Sequence, residues 1–159
     1  MNQRNYKSDL SIDEKVLMAI VKAAEKFKKD SSAIFTKYDL TFSQYNVLRA
    51  LDASRNGQNT LANIRGIMLV SGSRITGLTK RLEKNGFIIR KSCTDDERTK
   101  TVELTPKGKK TLEQIFPEKE RNVKKYLIKH PGKEKLYALS IIRGIFRERE
   151  NEIAHTLRS

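Results

Sequence analysis

The residues best placed to do chemistry in this chain are cations and hydroxyls repeated at helical spacing between Ser71 and Lys84. At about 100° per residue, Ser73, Gly77, Lys80 and Lys84 share one helix face, with Arg74 and Arg81 on its flanks. That face holds no acidic residue and no bulky apolar one, whereas a helix that only meets solvent usually mixes both signs of charge. The chemistry it suits is recognition of a polyanion. Ser71, Ser73 and Arg74 lie in the first turn, where a recognition helix meets base edges, and arginine can hold guanine O6 and N7 in bidentate fashion. Lys80, Arg81 and Lys84 suit phosphates, which position a protein on a duplex without reading its sequence. Gly77 would let the backbone approach a groove wall.

A second group follows. Asp95, Asp96, Glu97, Arg98 and Lys100 lie between two short β-branched-rich stretches, Phe87–Lys91 and Thr101–Leu104, a pattern that predicts a hairpin with a charged tip. A lone arginine on a projecting hairpin suits a narrow minor groove, where the negative potential is strongest. Arg98 is therefore the candidate there, with Asp96 orienting its guanidinium by a charge-assisted hydrogen bond. Arg90, Lys91 and Lys100 are expected to meet phosphates around the hairpin. The competing reading is a solvated loop with an inconsequential ion pair.

These side chains need a scaffold, and the spacing supplies one. Ser71 is a suitable N-cap, Asn85-Gly86 a left-handed stop, and Ile75, Leu78 and Leu82 an apolar stripe between them. The helix before it starts at Thr60 as its N-cap and carries Leu61, Ile64 and Met68. Gly66 inside that helix costs about 1 kcal/mol against alanine, so it needs tertiary packing. Thr105-Pro106 opens a further helix, threonine as N-cap and proline at the first helical position. The resulting order is helix, turn, helix, hairpin, helix.

This stretch resembles the winged helix-turn-helix of the MarR family of bacterial transcription regulators. Leu40-Thr-Phe-Ser-Gln-Tyr-Asn-Val-Leu48 is similar to the family's opening helix and Ser71–Gly86 to its recognition helix. Asp96-Glu97-Arg98 with Val102, Leu104-Thr105 and Gly108 is similar to its wing motif. The resemblance covers residues 40–116 strongly and the flanks in layout. It implies the same wing roles for Asp96 and Arg98. It also implies a homodimer whose first and last helices interdigitate, and a small-molecule effector pocket between those helices and the DNA lobe. Tyr38, Tyr45, Phe27 and Phe35 could line one, but aromatics at helical spacing more often form core, and no ligand site is assigned. Leu69 stands where many relatives carry glycine.

The flanks fit that layout. Ser11-Ile-Asp-Glu14 is a capping box, and the helix after it carries Val16, Ile20, Ala23, Ala24 and Phe27, extending through Ile34, Phe35 and Tyr38. Thr41-x-x-Gln44 is a second box, opening a helix with Tyr45, Leu48 and Leu51 as its stripe. Asn56-Gly57 reads as a turn. Pro117 is expected to kink or restart the helix that follows Thr105, and His130-Pro131-Gly132 to stop it. A last helix from about Lys133 carries Leu136, Leu139 and Ile142. The first and last helices have more apolar surface than one small lobe can cover. At 33% charged and 37% hydrophobic residues, the chain is lean enough that a second copy would help bury them.

The formal net charge of +14 points to nucleic acid before an anionic membrane. Residues 41–109 hold 13 basic and 6 acidic side chains, so half of the excess falls where DNA contact is expected. A single cysteine, Cys93, excludes an internal disulfide. Its place in the hairpin suggests an incidental thiol more than a redox switch. Neither a leader nor a run of about 18 apolar residues is evident, which predicts a cytoplasmic protein without a membrane partner. His130 and His155 sit in no metal-ligand spacing with Cys93, and the sequence holds no Gly-rich phosphate loop, H-E-x-x-H or G-x-S-x-G. No enzyme, metal or cofactor is expected.

The expected fold is mainly α with a small β-hairpin wing. Residues 1–39 form an N-terminal dimerisation helix, 40–116 a winged helix-turn-helix domain, and 117–159 C-terminal dimerisation helices. The expected function is sequence-specific regulation of transcription, as a repressor, by a homodimer on pseudo-palindromic double-stranded DNA. A sequence-indifferent, nucleoid-type DNA binder is the alternative that the charge alone would allow.

Overall fold

The computed structural model describes the backbone at residues 10–93 and 96–156, and side chains at 10–91 and 100–145. Among the described residues, six α-helices and three strands follow in the order α1 (Ile12–Phe35), α2 (Phe42–Asp52), β1 (Gln58–Thr60), α3 (Leu61–Met68), α4 (Gly72–Lys84), β2 (Ile88–Cys93), β3 (Asp96–Leu104), α5 (Pro106–Leu127) and α6 (Gly132–Thr156). The chain divides into two compact units, one ending at Lys119 and one beginning at Glu120.

Local capping chemistry sets the helix starts. Ser11 accepts from the Glu14 N–H at 3.1 Å, and the Glu14 carboxylate accepts in return from the Ser11 N–H at 2.9 Å. Thr41 and Gln44 make the same reciprocal pair at 3.2 and 2.9 Å. Each box satisfies two amide protons that a helix end otherwise leaves without partners.

In the first unit the core gathers the last turn of α1, the inner face of α2, one side each of α3 and α4, and the inner face of the sheet. Phe35, Leu48, Leu51, Ile64, Leu82 and Val102 are almost wholly buried. Phe35 stacks on Tyr45 with ring centroids 3.9 Å apart, and Phe42 packs on Phe35 at 6.0 Å. Burial pushes the Tyr45 phenol above its ordinary value; Arg49 opposes that shift and Asp52 adds to it. The aromatics that could have lined a ligand pocket are thus largely packed against one another. Tyr38 donates to the Gln114 carbonyl at 3.3 Å, and Lys37 pairs with Glu118 at 2.6 Å, tying the end of α1 to α5.

Three expectations change. The sheet has three strands, because polar Gln58–Thr60 pairs antiparallel with β3, Asn59 opposite Val102. A three-residue polar strand leaves no alternation to read. Helix α5 continues through Pro117, so the helix does not restart there, one of the two outcomes expected of this proline. The hairpin strands also extend into the stretch read as a charged loop.

Two surfaces stay bare. On the first half of α1, Ile12 is 72% and Val21 55% exposed; on α6, Leu136 is 70% and Tyr137 71% exposed. Among the described residues, no helix is long and apolar enough to cross a membrane.

Candidate nucleic-acid interface

Helix α4 separates its faces sharply. Ile75, Thr79 and Leu82 are buried and Leu78 is partly so. Ser71, Ser73, Arg74, Gly77, Lys80, Arg81 and Lys84 are all exposed. Thr79 was no part of the expected stripe. Its hydroxyl can be buried because it donates back to the Ile75 carbonyl at 3.0 Å or the Thr76 carbonyl at 3.2 Å, so no polar atom is stranded.

Both ends of the helix are fixed. At the start, the Ser71 hydroxyl accepts from the Arg74 N–H at 3.4 Å and lies 3.2 Å from the Ser73 hydroxyl. This places two hydroxyls and the Arg74 side chain in one exposed turn. At the end, Gly86 adopts the left-handed φ of 75°, and its N–H donates to the Glu83 carbonyl at 2.8 Å. Lys107, from α5, donates to the Asn85 carbonyl at 2.7 Å and lies 4.8 Å above the Phe87 ring. A cation at a helix C-terminus meets the negative end of the helix dipole. Sequence reading gave Lys107 no such role, since its partner lies 22 residues away.

Thr105 joins the end of α4 to α5. Its hydroxyl accepts from the Gly108 N–H at 3.0 Å, capping α5 as expected. It also donates toward the Gly86 or Phe87 carbonyl, at 2.8 and 3.0 Å. Gly108 is required by closeness: a Cβ there would lie 2.4 Å from the Phe87 carbonyl oxygen and 2.7 Å from Leu104.

The hairpin pairs Ile88 with Leu104 through Ser92 with Lys100, then shifts to Cys93 opposite Asp96. Residues 97–99 therefore stand outside the paired register, and the Arg98 backbone lies in that irregularity. The side chains of Asp96, Arg98 and Cys93 are outside the described residues. Lys100 is exposed beside it.

Two of the cations expected at phosphates already have carboxylate partners. Lys91 pairs with Glu103 across the strands. Arg90 has a side chain only 18% exposed, with a guanidinium nitrogen 3.7 Å from Glu83. Its Nε is buried without a hydrogen-bond partner. Glu83 also accepts the Arg90 N–H at 3.1 Å, which joins α4 to the wing. The signal for this was present: Glu83 is the one acid on an otherwise basic helix. Among the described residues, no group of three His, Cys, Asp or Glu could hold a metal ion. An open cleft of about 300 Å³ on the first unit is lined by Arg49, Asp52, Lys109, Leu112, Glu113 and Phe116.

Comparison with known proteins gives the family and the fold. Residues 29–115 match the family described as transcriptional regulator SarA/Rot. An uncharacterised HTH-type transcriptional regulator of Bacillus cereus is 29% identical over 110 residues, 69% of this chain and 71% of that one. SarZ of Staphylococcus saprophyticus is 29% identical over 107 residues, 67% and 72% of the two chains. Among solved structures, Sco3205, a MarR family regulator of Streptomyces coelicolor in complex with DNA, superposes with a TM-score of 0.77 at 22% identity, covering 91% of this chain and 92% of that one. A MarR protein of Peptoclostridium difficile gives 0.79 at 16% identity, with 96% and 95% covered. The fold is the winged helix of MarR-type regulators.

Proposed function

The chain belongs to the SarA/Rot family of transcriptional regulators, and on that premise we propose that it binds a specific DNA sequence as a homodimer and represses transcription from the promoter it occupies. The observation that carries this reading is the two-faced α4. Its buried side anchors the helix, while its outer side offers small, hydroxyl and cationic groups across three turns, with Glu83 on the flank as the one exposed acid. That surface matches a major groove in width and charge.

In this reading Ser71, Ser73 and Arg74 meet base edges, and Lys80, Arg81 and Lys84 hold phosphates. Arg98, oriented by Asp96, enters a flanking minor groove, with Lys100 at the adjacent backbone. Arg90 and Lys91 contact phosphates only after exchanging their carboxylate partners. Residues 40–116 are the DNA-binding part; residues 1–39 and 117–159 form the dimer. The bare apolar faces of α1 and α6 support the pairing, as does an apolar groove of about 350 Å³ on the second unit beside Leu127, Leu139 and Ile142. Two copies would set their recognition helices about 34 Å apart, on a pseudo-palindrome. A small-molecule effector would act by changing that spacing.

The test is fluorescence anisotropy at near-physiological salt, comparing duplex from upstream of the protein's own coding region with scrambled duplex. A preference of about a hundredfold or more is expected, together with a sedimenting mass of two 18.3 kDa chains. Equal, strongly salt-dependent affinity for every duplex would instead favour a sequence-indifferent coater, for which the +14 charge would suffice.

A further inference from the structure

The turn into the recognition helix exposes apolar side chains in a cationic setting. Ile67 is 61% exposed and Leu69 71% exposed, while Met68 and Val70 pack against the core. The chain thus sends alternate side chains inward and outward as it leaves α3.

Leu69 is also the left-handed stop of α3, at φ 51° and ψ 45°. Its N–H donates to the carbonyls of Arg65 and Gly66, and the Val70 N–H donates to the Arg65 carbonyl at 3.3 Å. Glycine usually fills such a stop because a Cβ crowds the neighbouring carbonyl, and asparagine sometimes does because its short polar side chain hydrogen-bonds locally. Leucine is strained here, and at this exposure burial returns little. Neither the backbone nor the core calls for it.

The surroundings do. Two residues on, Ser71 caps α4, and Arg74 lies in the exposed first turn. The Arg65 guanidinium lies over Gly72, 3.8 Å from where a Cβ would be. Leu69 therefore lies along the chain between Arg65 and Arg74, two residues before the cap of the helix that meets DNA in the reading above, on which this inference rests. We propose that Leu69, supported by Ile67, is a specificity contact that reads the 5-methyl group of thymine at the edge of the major groove. That methyl is the apolar feature of an otherwise polar groove, and the flanking arginines would bring the backbone on either side within reach.

The probe is the tightest duplex selected by the wild-type protein from a random-sequence pool, with each thymine replaced in turn by uracil, which lacks only the methyl. Wild-type protein should lose about fourfold in affinity at one thymine per half-site, the equivalent of ~0.8 kcal/mol for one methyl. Leu69→Gly should bind the thymine and uracil duplexes equally, and should melt at a higher temperature because the strain is gone. Leu69→Asn, which also tolerates the left-handed region, should behave in the same way toward DNA. Uracil tolerated at every position by the wild type, an undiminished thymine preference in Leu69→Gly, or a lower melting temperature for that variant would each overturn the proposal. A wild-type protein that selects no sequence from the pool would remove the underlying reading, and the proposal with it.

Discussion

Glu83, in the last turn of α4, accepts the backbone N–H of Arg90 at 3.1 Å and lies 3.7 Å from the same residue's guanidinium. One carboxylate therefore holds the start of the wing to the end of the helix, and it occupies a cation that the proposed DNA contact could otherwise use. Glu83→Gln keeps an acceptor for the N–H but releases the guanidinium. Because Glu83 is 41% exposed, the stability change should stay below about 1 kcal/mol. DNA binding should tighten, and the plot of log affinity against log salt should steepen by up to about 0.9, one extra phosphate contact. An unchanged salt slope would mean that Arg90 stays out of the interface even when released.

The two glycines Gly66 and Gly108 should respond to alanine with opposite signs. A Cβ at Gly66 meets nothing within 4 Å, so Gly66→Ala should stabilise α3 by up to about 1 kcal/mol. At Gly108 the Cβ would press on the Phe87 carbonyl oxygen at 2.4 Å. A backbone atom cannot step aside, so Gly108→Ala should cost about 1–3 kcal/mol. Denaturant titration of both variants checks the pair, and equal midpoints would contradict the packing of α5 against Phe87 and Leu104.

Arg98→Ala tests the wing. Specific binding should weaken by at least about tenfold, or roughly 1.4 kcal/mol, with the sedimenting mass and melting temperature unchanged. Unaltered affinity in anisotropy would take the wing out of the mechanism.

Tyr45 should give stability an alkaline limit. Burial raises its pKa above the ordinary 10.0, so its phenol ionises in the unfolded chain before it ionises in the folded one. The stabilisation is fully present below about pH 10 and is lost as pH rises through the folded value. Tyr45→Phe should flatten that loss. Denaturant midpoints for the two proteins across pH 8 to 11 would show it, and parallel curves would refute it.

What the sequence determined by itself was chemistry of short range. The caps at Ser11, Thr41, Thr60, Ser71 and Thr105 could be read from single residues, because a cap acts on an amide two or three positions away. The inner and outer faces of α4 followed from helical period, since the angle between side chains is a property of the helix alone. The family resemblance joined these into a winged helix, and the fold agrees. What only the tertiary structure decided were relationships across longer separations. Lys107 reaches the end of α4 from 22 residues away, and Gln58–Thr60 becomes a strand only because β3 offers it an edge. Arg90 and Lys91 looked like free cations until the fold brought Glu83 and Glu103 to them. Leu69 read as a departure from a pattern; its φ of 51° and its exposure emerged only when α3 and α4 were packed on a common core. The physical reason is the same in each case: charge and conformation depend on neighbours in space, and a sequence specifies those neighbours only through the fold.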